Sequence, residues 1–470
     1  MDPARRLTVG SARTALLALA AAISLSCSDG RPAASALAGP RASRSEKVQE
    51  SVSPGLAVRV RALAARRGLG PMPPRRRVRP ALVRLGRLLA FDPILSGNRD
   101  IACMTCHVPG LATGDARSLA IGTGAAGIGP ERVHPEGTFV SRNAPPLFDL
   151  GLLDHLFWDG RVEVGRDGRL HTPAGGRLTP DMRRTLRFGA VSALPMFPVV
   201  VRAEMRGRAG QNELADLGDE DYAGVWAGLM RRLGRIPEYR RLFEAAYPGR
   251  RFDEMSFAHA ANAIGGFLVD AFTFDDAPWD RFLEGDRGAL SREQLRGALD
   301  FLQAPCARCH DGPLLSDDDF HDVALAQFGP GEGDGPSGRD DFGRMRATGD
   351  PADRYRFRTT PLRNVELTGP YGHAGQFADL PAFIDHYSRN AARLRAYADA
   401  DIPEPLLRGT LVENREAVLA ARDTLILGAE FDSTFVREVT AFMRSLTDER
   451  ARHLEDLVPH SVPSGLPVPR

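Results

Sequence analysis

Lysine is nearly absent from this 470-residue chain: Lys47 is its one lysine, and the other 60 of the 61 basic side chains are arginines. Sixty acidic side chains balance them, so the formal net charge is only +1. A protein that binds nucleic acid through its charge carries a basic excess, and this chain lacks one. The composition therefore excludes a charge-driven nucleic-acid binder.

Long hydrophobic runs are also missing. The apolar, charge-free stretch over residues 14–26 is shorter than the roughly 20 residues that a membrane-spanning helix needs. It follows a basic start and ends at Cys27, an arrangement typical of a secretory signal. Cys27 stands where a lipoprotein signal places its lipidated cysteine, although Ser24 replaces the usual leucine. We therefore predict a lipoprotein-type signal peptide over 1–27, with ordinary cleavage as the alternative, and export to the periplasm on a lipid anchor.

Cysteine is scarce, with five in the chain, but four of them form two copies of one pattern. The two C-x-x-C-H motifs consist of Cys103, Cys106 and His107, and of Cys306, Cys309 and His310. In an exported protein this pattern attaches c-type haem: both thiols bond to the haem, and the adjacent histidine ligates its iron. A zinc site and a redox dithiol are the alternatives, but neither needs a histidine after both pairs. We predict two covalently bound haem c groups, with His107 and His310 as iron ligands.

Helical patterns dominate the remaining sequence. Apolar residues recur at helical spacing from Leu82 to Leu89, Ser291 and Gln294 form a capping box, and another apolar face follows Asp432. No alternation typical of strands recurs. The predicted fold class is therefore mainly α.

Composition also suggests the domain boundaries. Residues 28–77 are rich in Ala, Pro, Ser and Arg, which predicts a flexible tether. Residues 78–275 and 276–455 would then form two domains with one C-x-x-C-H motif each. Residues 329–354 are dense in Gly, Asp and Pro, which predicts a surface loop, and the four prolines of 456–470 predict a disordered tail.

Seven segments between residues 80 and 450 occur in a fixed order: LGRLLAFDPILSGN, SRNAPPLF, FWDGR, the pair Glu204-Met205, APWDRFLEGD, CARCHDGP and TTPLRNVELTGPYGHAGQF. Together they resemble the bacterial di-haem cytochrome c peroxidase and MauG family. The resemblance implies two cytochrome c-like domains, an N-terminal one with the peroxidatic haem and a C-terminal one with the electron-transfer haem. It also implies hydrogen peroxide as the substrate and a small cytochrome c or cupredoxin as the electron donor.

The resemblance assigns candidate catalytic residues. Glu204 matches an acid over the N-terminal haem that moves a proton between the two peroxide oxygens, and a surface carboxylate is its alternative role. Pro198 matches a pocket proline, whereas Leu194 stands where the family's peroxidases have a glutamine. Trp158 matches a tryptophan between the haems, with a core role equally open. His373 matches a histidine near the haem interface, for which structural and catalytic roles both stay open.

The resemblance also implies a calcium site between the haems. Its ligands would be the side chain of Asn143 and the backbone carbonyls of Thr368 and Pro370, with water completing the oxygen shell. So few protein ligands predict weak, exchangeable binding.

The remaining axial ligands depart from the family's reductively activated peroxidases. Their displaceable histidine, sixteen residues after the first haem histidine, is Thr123 here, which predicts an open first haem unless His134 substitutes. Their methionine ligand of the second haem, seven residues after a leucine matched by Leu380, is Tyr387 here, as in MauG-like members. A tyrosinate stabilises ferric and higher-valent iron. His386 is the neighbouring rival, since adjacent helical residues point about 100° apart.

The sequence therefore predicts a di-haem c-type peroxidase that reduces hydrogen peroxide at its N-terminal haem. A MauG-like oxidase of a protein or small organic substrate is the nearest alternative, which Tyr387 and Thr123 favour. An electron-transfer cytochrome with two six-coordinate haems is the third.

Overall fold

The computed structural model describes residues 54–426 and 428–470, and most of their regular structure is helical. The predicted signal peptide over 1–27, with Cys27, lies outside these residues. The α-helices are α1 (Pro54–Arg66), α2 (Pro80–Phe91), α3 (Cys103–Cys106), α4 (Pro180–Thr185), α5 (Ala190–Ala193), α6 (Tyr222–Gly234), α7 (Pro237–Ala246), α8 (Phe257–Ala271), α9 (Pro278–Glu284), α10 (Arg292–Gln303), α11 (Met345–Thr348), α12 (Leu380–His386), α13 (Asn390–Ala396), α14 (Arg415–Ala421) and α15 (Ser433–Arg444). The prediction of a mainly α fold is confirmed. No helix within the described ranges is both long and apolar enough to cross a membrane.

Five short strands form two small antiparallel sheets in the described residues. The strands are β1 (His155–Leu156), β2 (Val162–Val164), β3 (Leu170–His171), β4 (Phe320–His321) and β5 (Phe357–Arg358). In the first sheet, β2 is central, with Glu163 opposite both His155 of β1 and His171 of β3. In the second, Phe320 of β4 lies opposite Arg358 of β5. Strands β1 and β2 lie before and after the segment 157–159, which contains Trp158.

Two helix crossings repeat the same packing in the two halves of the chain. Helix α2 packs against α8, and α10 packs against α15. Each crossing has a glycine at its contact: a Cβ on Gly86 would lie 1.9 Å from the carbonyl oxygen of Ala263, and one on Gly297 would lie 1.7 Å from that of Glu438. Because only glycine permits these approaches, both positions fix the distance between the helices. In each half, the first helix of the crossing precedes the C-x-x-C-H motif.

The caps of these helices follow the sequence signals. Ser291 accepts a hydrogen bond from the backbone N–H of Gln294, and Gln294 accepts one in return from the N–H of Ser291. Asp432 caps α15 by accepting from the N–H of Phe435 at 2.8 Å. The helices predicted after Ser291 and Asp432 are confirmed.

The described residues pack around three hydrophobic clusters within one compact unit. The largest is built mainly from α2 and α5 to α8, and the second from α1, α9, α10 and α15. The third joins residues 119–139 to residues 324–418. The division into domains at 275/276 stays a prediction.

The predicted tether over 28–77 is wrong for residues 54–66, whereas residues 28–53 lie outside the described part. Residues 54–66 form α1, which packs against α10. Ala57, Val60 and Ala64 occupy one face at helical spacing and are buried in the second cluster. Arginines stand between these small side chains. The apolar residues therefore show only a weak helical period in the sequence.

The prediction of a disordered tail over 456–470 is wrong, because these residues pack on the largest cluster. Val462 is buried there. The hydroxyl of Ser464 donates to the Asp92 carboxylate at 2.6 Å, and the Tyr239 hydroxyl donates to the same carboxylate at 2.6 Å. Asp92 is fully buried. A buried carboxylate requires such donors, and the tail supplies one of them.

The segment 329–354 contains α11 and is not a surface loop throughout. Asp340 and Asp341 are buried. Asp340 accepts a hydrogen bond from the Tyr355 hydroxyl at 2.7 Å, and Asp341 pairs with the buried Arg142. These partners hold the loop against the body of the protein.

Candidate functional site

Two mostly apolar cavities lie in the described part of the chain, and each contains one C-x-x-C-H motif. The N-terminal cavity, of about 1230 Å³, is lined by Cys103, Cys106 and His107 among others. The C-terminal cavity, of about 1640 Å³, is lined by Cys306, Cys309 and His310. Both linings are mostly apolar, as the site of a bulky apolar prosthetic group requires.

Both motif histidines are oriented in the same way. The ring Nδ1 of His107 lies 3.0 Å from the carbonyl oxygen of Thr113, and Nδ1 of His310 lies 2.8 Å from that of Leu315. A carbonyl can only accept, so each Nδ1 carries the proton and Nε2 keeps its lone pair. Burial lowers the pKa of both imidazoles, which favours this neutral form. The residues present therefore fit an axial histidine ligand in each cavity.

The motif cysteines fit thioether attachment better than zinc binding. Each pair lines its own cavity, so the four sulfur atoms do not converge. Burial raises the pKa of Cys103 to about 11 and that of Cys306 to about 12. A four-cysteine zinc site would need all four sulfur atoms around one ion.

Glu204 lies in the N-terminal cavity with the first motif. A single turn of π-helix, Arg202–Arg206, presents its side chain, and the Glu204 carbonyl accepts from the N–H of Thr123 at 2.8 Å. Burial raises the pKa of Glu204 to about 6, against the opposing charge of Arg161, whose guanidinium is 3.9 Å away. Pro198 and Leu194 line the same cavity. Leu194 thus puts an apolar side chain where the resemblance implies a glutamine in the peroxidases.

Thr123 and His134 are absent from the described lining of the N-terminal cavity. The Thr123 hydroxyl donates to the Asp100 carboxylate at 2.8 Å. Nδ1 of His134 accepts from the backbone N–H of Glu136 at 3.0 Å. Both side chains are therefore engaged elsewhere, as an open first haem requires.

Trp158 lies in the wall between the cavities and lines both of them. Its indole Nε1–H donates to the carbonyl of Asn143 at 2.9 Å, and its own carbonyl accepts from the N–H of Arg358 at 2.9 Å. Asn143 and Arg358 also line both cavities. These two hydrogen bonds fix the tryptophan at the one wall that the cavities share.

Arg358 carries a buried guanidinium whose partners are weak. Its Nε donates to the Phe157 carbonyl at a long 3.4 Å, and its ion pair with Asp318 is 3.7 Å. Burial lowers the pKa of Arg358. A buried cation needs an anion, and the propionate groups of haem would supply one at this wall.

His373 lines the C-terminal cavity and is uncharged at neutral pH. Burial lowers its pKa to about 4. Its ring stacks on Phe357 with centroids 3.7 Å apart, and its carbonyl accepts from the N–H of Asn143 at 2.9 Å. The residue thus connects the wall to the C-terminal cavity through both its backbone and its ring.

The three predicted calcium ligands all line the C-terminal cavity. Asn143 lines both cavities, and Thr368 and Pro370 line the C-terminal one. The Asn143 amide Nδ2 donates to the carbonyl of Arg117 at 2.8 Å, so its Oδ1 is the atom oriented away from that bond. This orientation suits an oxygen ligand, and calcium binding stays a prediction.

Tyr387, and not His386, lines the C-terminal cavity. Nε2 of His386 donates to the carbonyl of Val323 at 2.9 Å, and burial lowers the pKa of His386 to about 4. Burial raises the pKa of Tyr387, so the phenol is neutral without a nearby cation. Tyr387 keeps helical dihedral angles (φ −63°, ψ −23°), so the two adjacent side chains point about 100° apart.

The sequence did not reveal the charged groups around the N-terminal cavity. Arg142 is buried and contacts three acids: its Nε lies 2.7 Å from Asp341, its Nη1 2.7 Å from Asp159, and its Nε 3.6 Å from Glu332. Glu332, from the segment 329–354, lines the cavity with Arg142. Arg142 could have been noticed because it precedes Asn143 in SRNAPPLF. Glu332 gave no signal within its glycine-rich surroundings.

His321 was also missed, and it lines the C-terminal cavity next to Cys309. Its Nδ1 lies 2.6 Å from Asp423 and its Nε2 2.9 Å from Asp317. Burial opposes its protonation, but hydrogen bonds to Asp317, Cys309 and Asp423 outweigh that effect and raise the pKa to about 11. The imidazole is therefore a cation between two carboxylates.

Comparison with known proteins agrees with these two sites. The sequence profile described as "Di-haem cytochrome c peroxidase" matches residues 80–288. Cytochrome c551 peroxidase of Pseudomonas aeruginosa is 31% identical over 296 residues, which cover 63% of this chain and 68% of that protein. Methylamine utilization protein MauG of Methylorubrum extorquens is 28% identical over 324 residues, covering 69% and 73%. The crystal structure of a MauG-like protein associated with microbial copper homeostasis superposes with a TM-score of 0.58 at 24% identity, covering 82% of this chain and 96% of that one.

The chain belongs to the di-haem cytochrome c peroxidase and MauG family. It is an oxidoreductase of the cytochrome c peroxidase type, and the family's cofactor is haem c.

Proposed function

We propose that this protein reduces hydrogen peroxide to water at the N-terminal cavity, with electrons that pass through the C-terminal cavity. The carrying observation is that Glu204 shares the N-terminal cavity with the C-x-x-C-H motif of His107. When bound, haem c supplies the iron that binds peroxide and exchanges electrons.

Glu204 acts on the protons of the substrate. With a pKa of about 6, its side chain is mostly ionised at pH 7 yet accepts a proton readily. It takes the proton from the near oxygen of peroxide and gives it to the far oxygen, which then leaves as water. Arg161, 3.9 Å from the carboxylate, keeps it facing the cavity.

Electrons come from a small cytochrome c or cupredoxin and reach the N-terminal cavity by way of the C-terminal one. His310 and Tyr387 would hold the C-terminal haem, and Trp158 carries electrons or holes through the shared wall. Two hydrogen bonds hold its ring and backbone there. Calcium at Asn143, Thr368 and Pro370 would stiffen the same wall.

A MauG-like oxidase is the second candidate, and Tyr387 favours it. Its phenol lines the C-terminal cavity at the position where the resemblance implies methionine in the peroxidases. Such an enzyme would oxidise a protein or small organic substrate instead of a reduced donor protein. Export through the signal at 1–27 belongs to either proposal.

The test is peroxide turnover of Glu204→Gln with a reduced small cytochrome c as donor. We expect unchanged covalent haem content and a turnover about 100-fold lower, the usual scale for a lost acid–base group. Glu213→Gln is the matched control, because Glu213 lies outside the cavity and pairs with Arg232. Undiminished turnover in Glu204→Gln contradicts the proposal. A Glu204-dependent peroxide reaction that no donor protein accelerates favours the oxidase.

A further inference from the structure

Two carboxylates line the N-terminal cavity within the described residues: Glu204 and Glu332. Glu204 comes from the N-terminal half, whereas Glu332 comes from the segment 329–354 beyond the second C-x-x-C-H motif. The proposed reaction gives Glu332 no role. A carboxylate in a cavity that handles protons is a candidate for moving them.

The two carboxylates are the ends of one chain of alternating charges. Glu332 lies 3.6 Å from Arg142, and Arg142 lies 2.7 Å from Asp159. Asp159 lies 3.2 Å from Arg161, and Arg161 lies 3.9 Å from Glu204. Arg142, Asp159 and Arg161 therefore lie between the two end carboxylates, with Asp159 in the middle. The chain runs along the cavity wall and keeps Glu332 and Glu204 in one electrostatic system.

Glu332 also has contact with the outside of the protein. Its side chain is 21% exposed, close to the 24% of Glu204, but its Oε2 also lies 3.5 Å from Arg346, which is 35% exposed and does not line the cavity. Its Oε1 accepts a hydrogen bond from the Ser141 hydroxyl. The carboxylate is therefore held at the cavity while solvent reaches it.

Peroxide reduction requires protons from outside. Breaking the O–O bond of one hydrogen peroxide to form two waters consumes two protons and two electrons. The electrons come from the donor protein, which is oxidised as the two peroxide oxygens are reduced. Glu204 moves a proton that is already on the substrate, so both consumed protons must enter from solvent.

We propose that Glu332 delivers protons from solvent to Glu204 during peroxide reduction. This inference rests on the proposed function. Glu332 takes a proton at its exposed side and releases it into the cavity, where the Glu204 carboxylate accepts it and passes it to the peroxide oxygen that remains after the first water has left. Two such protons and the two electrons from the donor protein make the second water. Ser141, Arg142 and Arg346 face Glu332 and keep it at the cavity, and Arg161 and Asp159 face Glu204.

The experiment compares Glu332→Gln with the unaltered holoprotein, with rates expressed per covalently bound haem. Glutamine can still accept from Ser141 but cannot carry a proton. We expect turnover to fall roughly tenfold and the solvent deuterium isotope effect to rise, because proton delivery becomes the slow step. A pH-indicator dye should show delayed proton uptake after peroxide is mixed with the reduced protein. Added formic acid, a small proton donor, should restore the rate in proportion to its concentration.

Asp334→Asn is the matched control on the same segment. Asp334 lies 2.6 Å from Arg346 but outside the described cavity lining. A purely structural role for the loop would give the same loss in both variants, and formic acid would restore neither. That result, or unchanged turnover and proton uptake in Glu332→Gln, overturns the proposal. Because rates are counted per haem, a variant that binds less haem still gives an answer.

Failure of this inference can be told apart from failure of the proposed function. If Glu204→Gln lowers turnover and Glu332→Gln does not, only the delivery role is wrong. If Glu204→Gln leaves turnover unchanged, peroxide chemistry at this cavity is wrong, and the delivery role is wrong with it.

Discussion

Replacing Arg142 by glutamine should destabilise the protein strongly, because the guanidinium neutralises buried acids. The side chains of Arg142, Asp159 and Asp341 are 7%, 4% and 6% exposed. Removing one partner of a buried ion pair costs about 3–5 kcal/mol, since the remaining charge stays buried. Asp159 keeps Arg161 at 3.2 Å, so Asp341 bears most of the loss. We therefore expect the lower end, about 3 kcal/mol of unfolding free energy.

The loss should depend on pH in a defined direction. Burial alone would raise the pKa of Asp341, but the charge and hydrogen bonds of Arg142 outweigh it and hold that pKa below its ordinary value. In the native protein this contributes stability above the unfolded pKa of about 3.9, and the contribution disappears as pH falls through the folded pKa. Without Arg142, burial raises the Asp341 pKa, so folding pays for a charged buried carboxylate at neutral pH. The deficit of Arg142→Gln is therefore largest near pH 7 and shrinks toward pH 4.

The measurement is urea unfolding of the holoprotein, followed by far-ultraviolet circular dichroism at pH 7 and pH 5. Arg395→Gln is the control, because Arg395 and Glu416 form an exposed pair that should contribute less than about 1 kcal/mol. A loss below about 1 kcal/mol for Arg142→Gln would refute the argument. An equal loss at both pH values would refute its electrostatic part.

Three further predictions concern the two cavities and the tail. Tyr387→Phe should change the ferric absorption spectrum of the holoprotein, whereas His386→Asn should leave it unchanged, and the reverse pattern would assign the ligand to His386. The plot of kcat/KM for peroxide against pH should rise with a midpoint near 6, since the Glu204 carboxylate is the active form, and Glu204→Gln should remove that limb. Ser464→Ala should lower the unfolding free energy in urea by about 1.5–3 kcal/mol, because the buried Asp92 loses a charge-assisted hydrogen bond. An effect below about 0.5 kcal/mol would show that the tail contributes little.

The sequence predicts most reliably what is local in the chain. A C-x-x-C-H motif fixes two thiols and an imidazole within five residues, so Cys103 and His107 had to share a cavity in any fold. The helix starts at Ser291 and Asp432 were readable for the same reason, since a cap involves residues three apart. The sequence did not show which of Tyr387 and His386 lines the C-terminal cavity, because the direction of each side chain depends on how α12 packs.

Groups whose role depends on distant partners could not be read from the sequence. Glu332 and Arg142 are far apart in the chain, and Glu332 stands in a glycine-rich segment with the composition of a solvent loop. The tail was misjudged because its prolines argue against a helix but not against packing. What orders it is the buried Asp92, which needs the Ser464 hydroxyl. In both cases the contact is with a buried charge far away in the sequence, namely Arg142 for Glu332 and Asp92 for Ser464.

The charge chain and the tryptophan wall share backbone segments, so the proposed proton and electron pathways are mechanically linked. Arg142 directly precedes Asn143, whose carbonyl accepts from the Trp158 indole, and Asp159 directly follows Trp158. The Arg142–Asp159 ion pair at 2.7 Å therefore closes a small ring with the Trp158–Asn143 hydrogen bond at 2.9 Å. Loosening either bond must shift the other, because neighbouring residues cannot move independently. The loop that brings Glu332 to the N-terminal cavity is tied to this ring through Arg142, and it thereby links the proton supply to the position of the tryptophan.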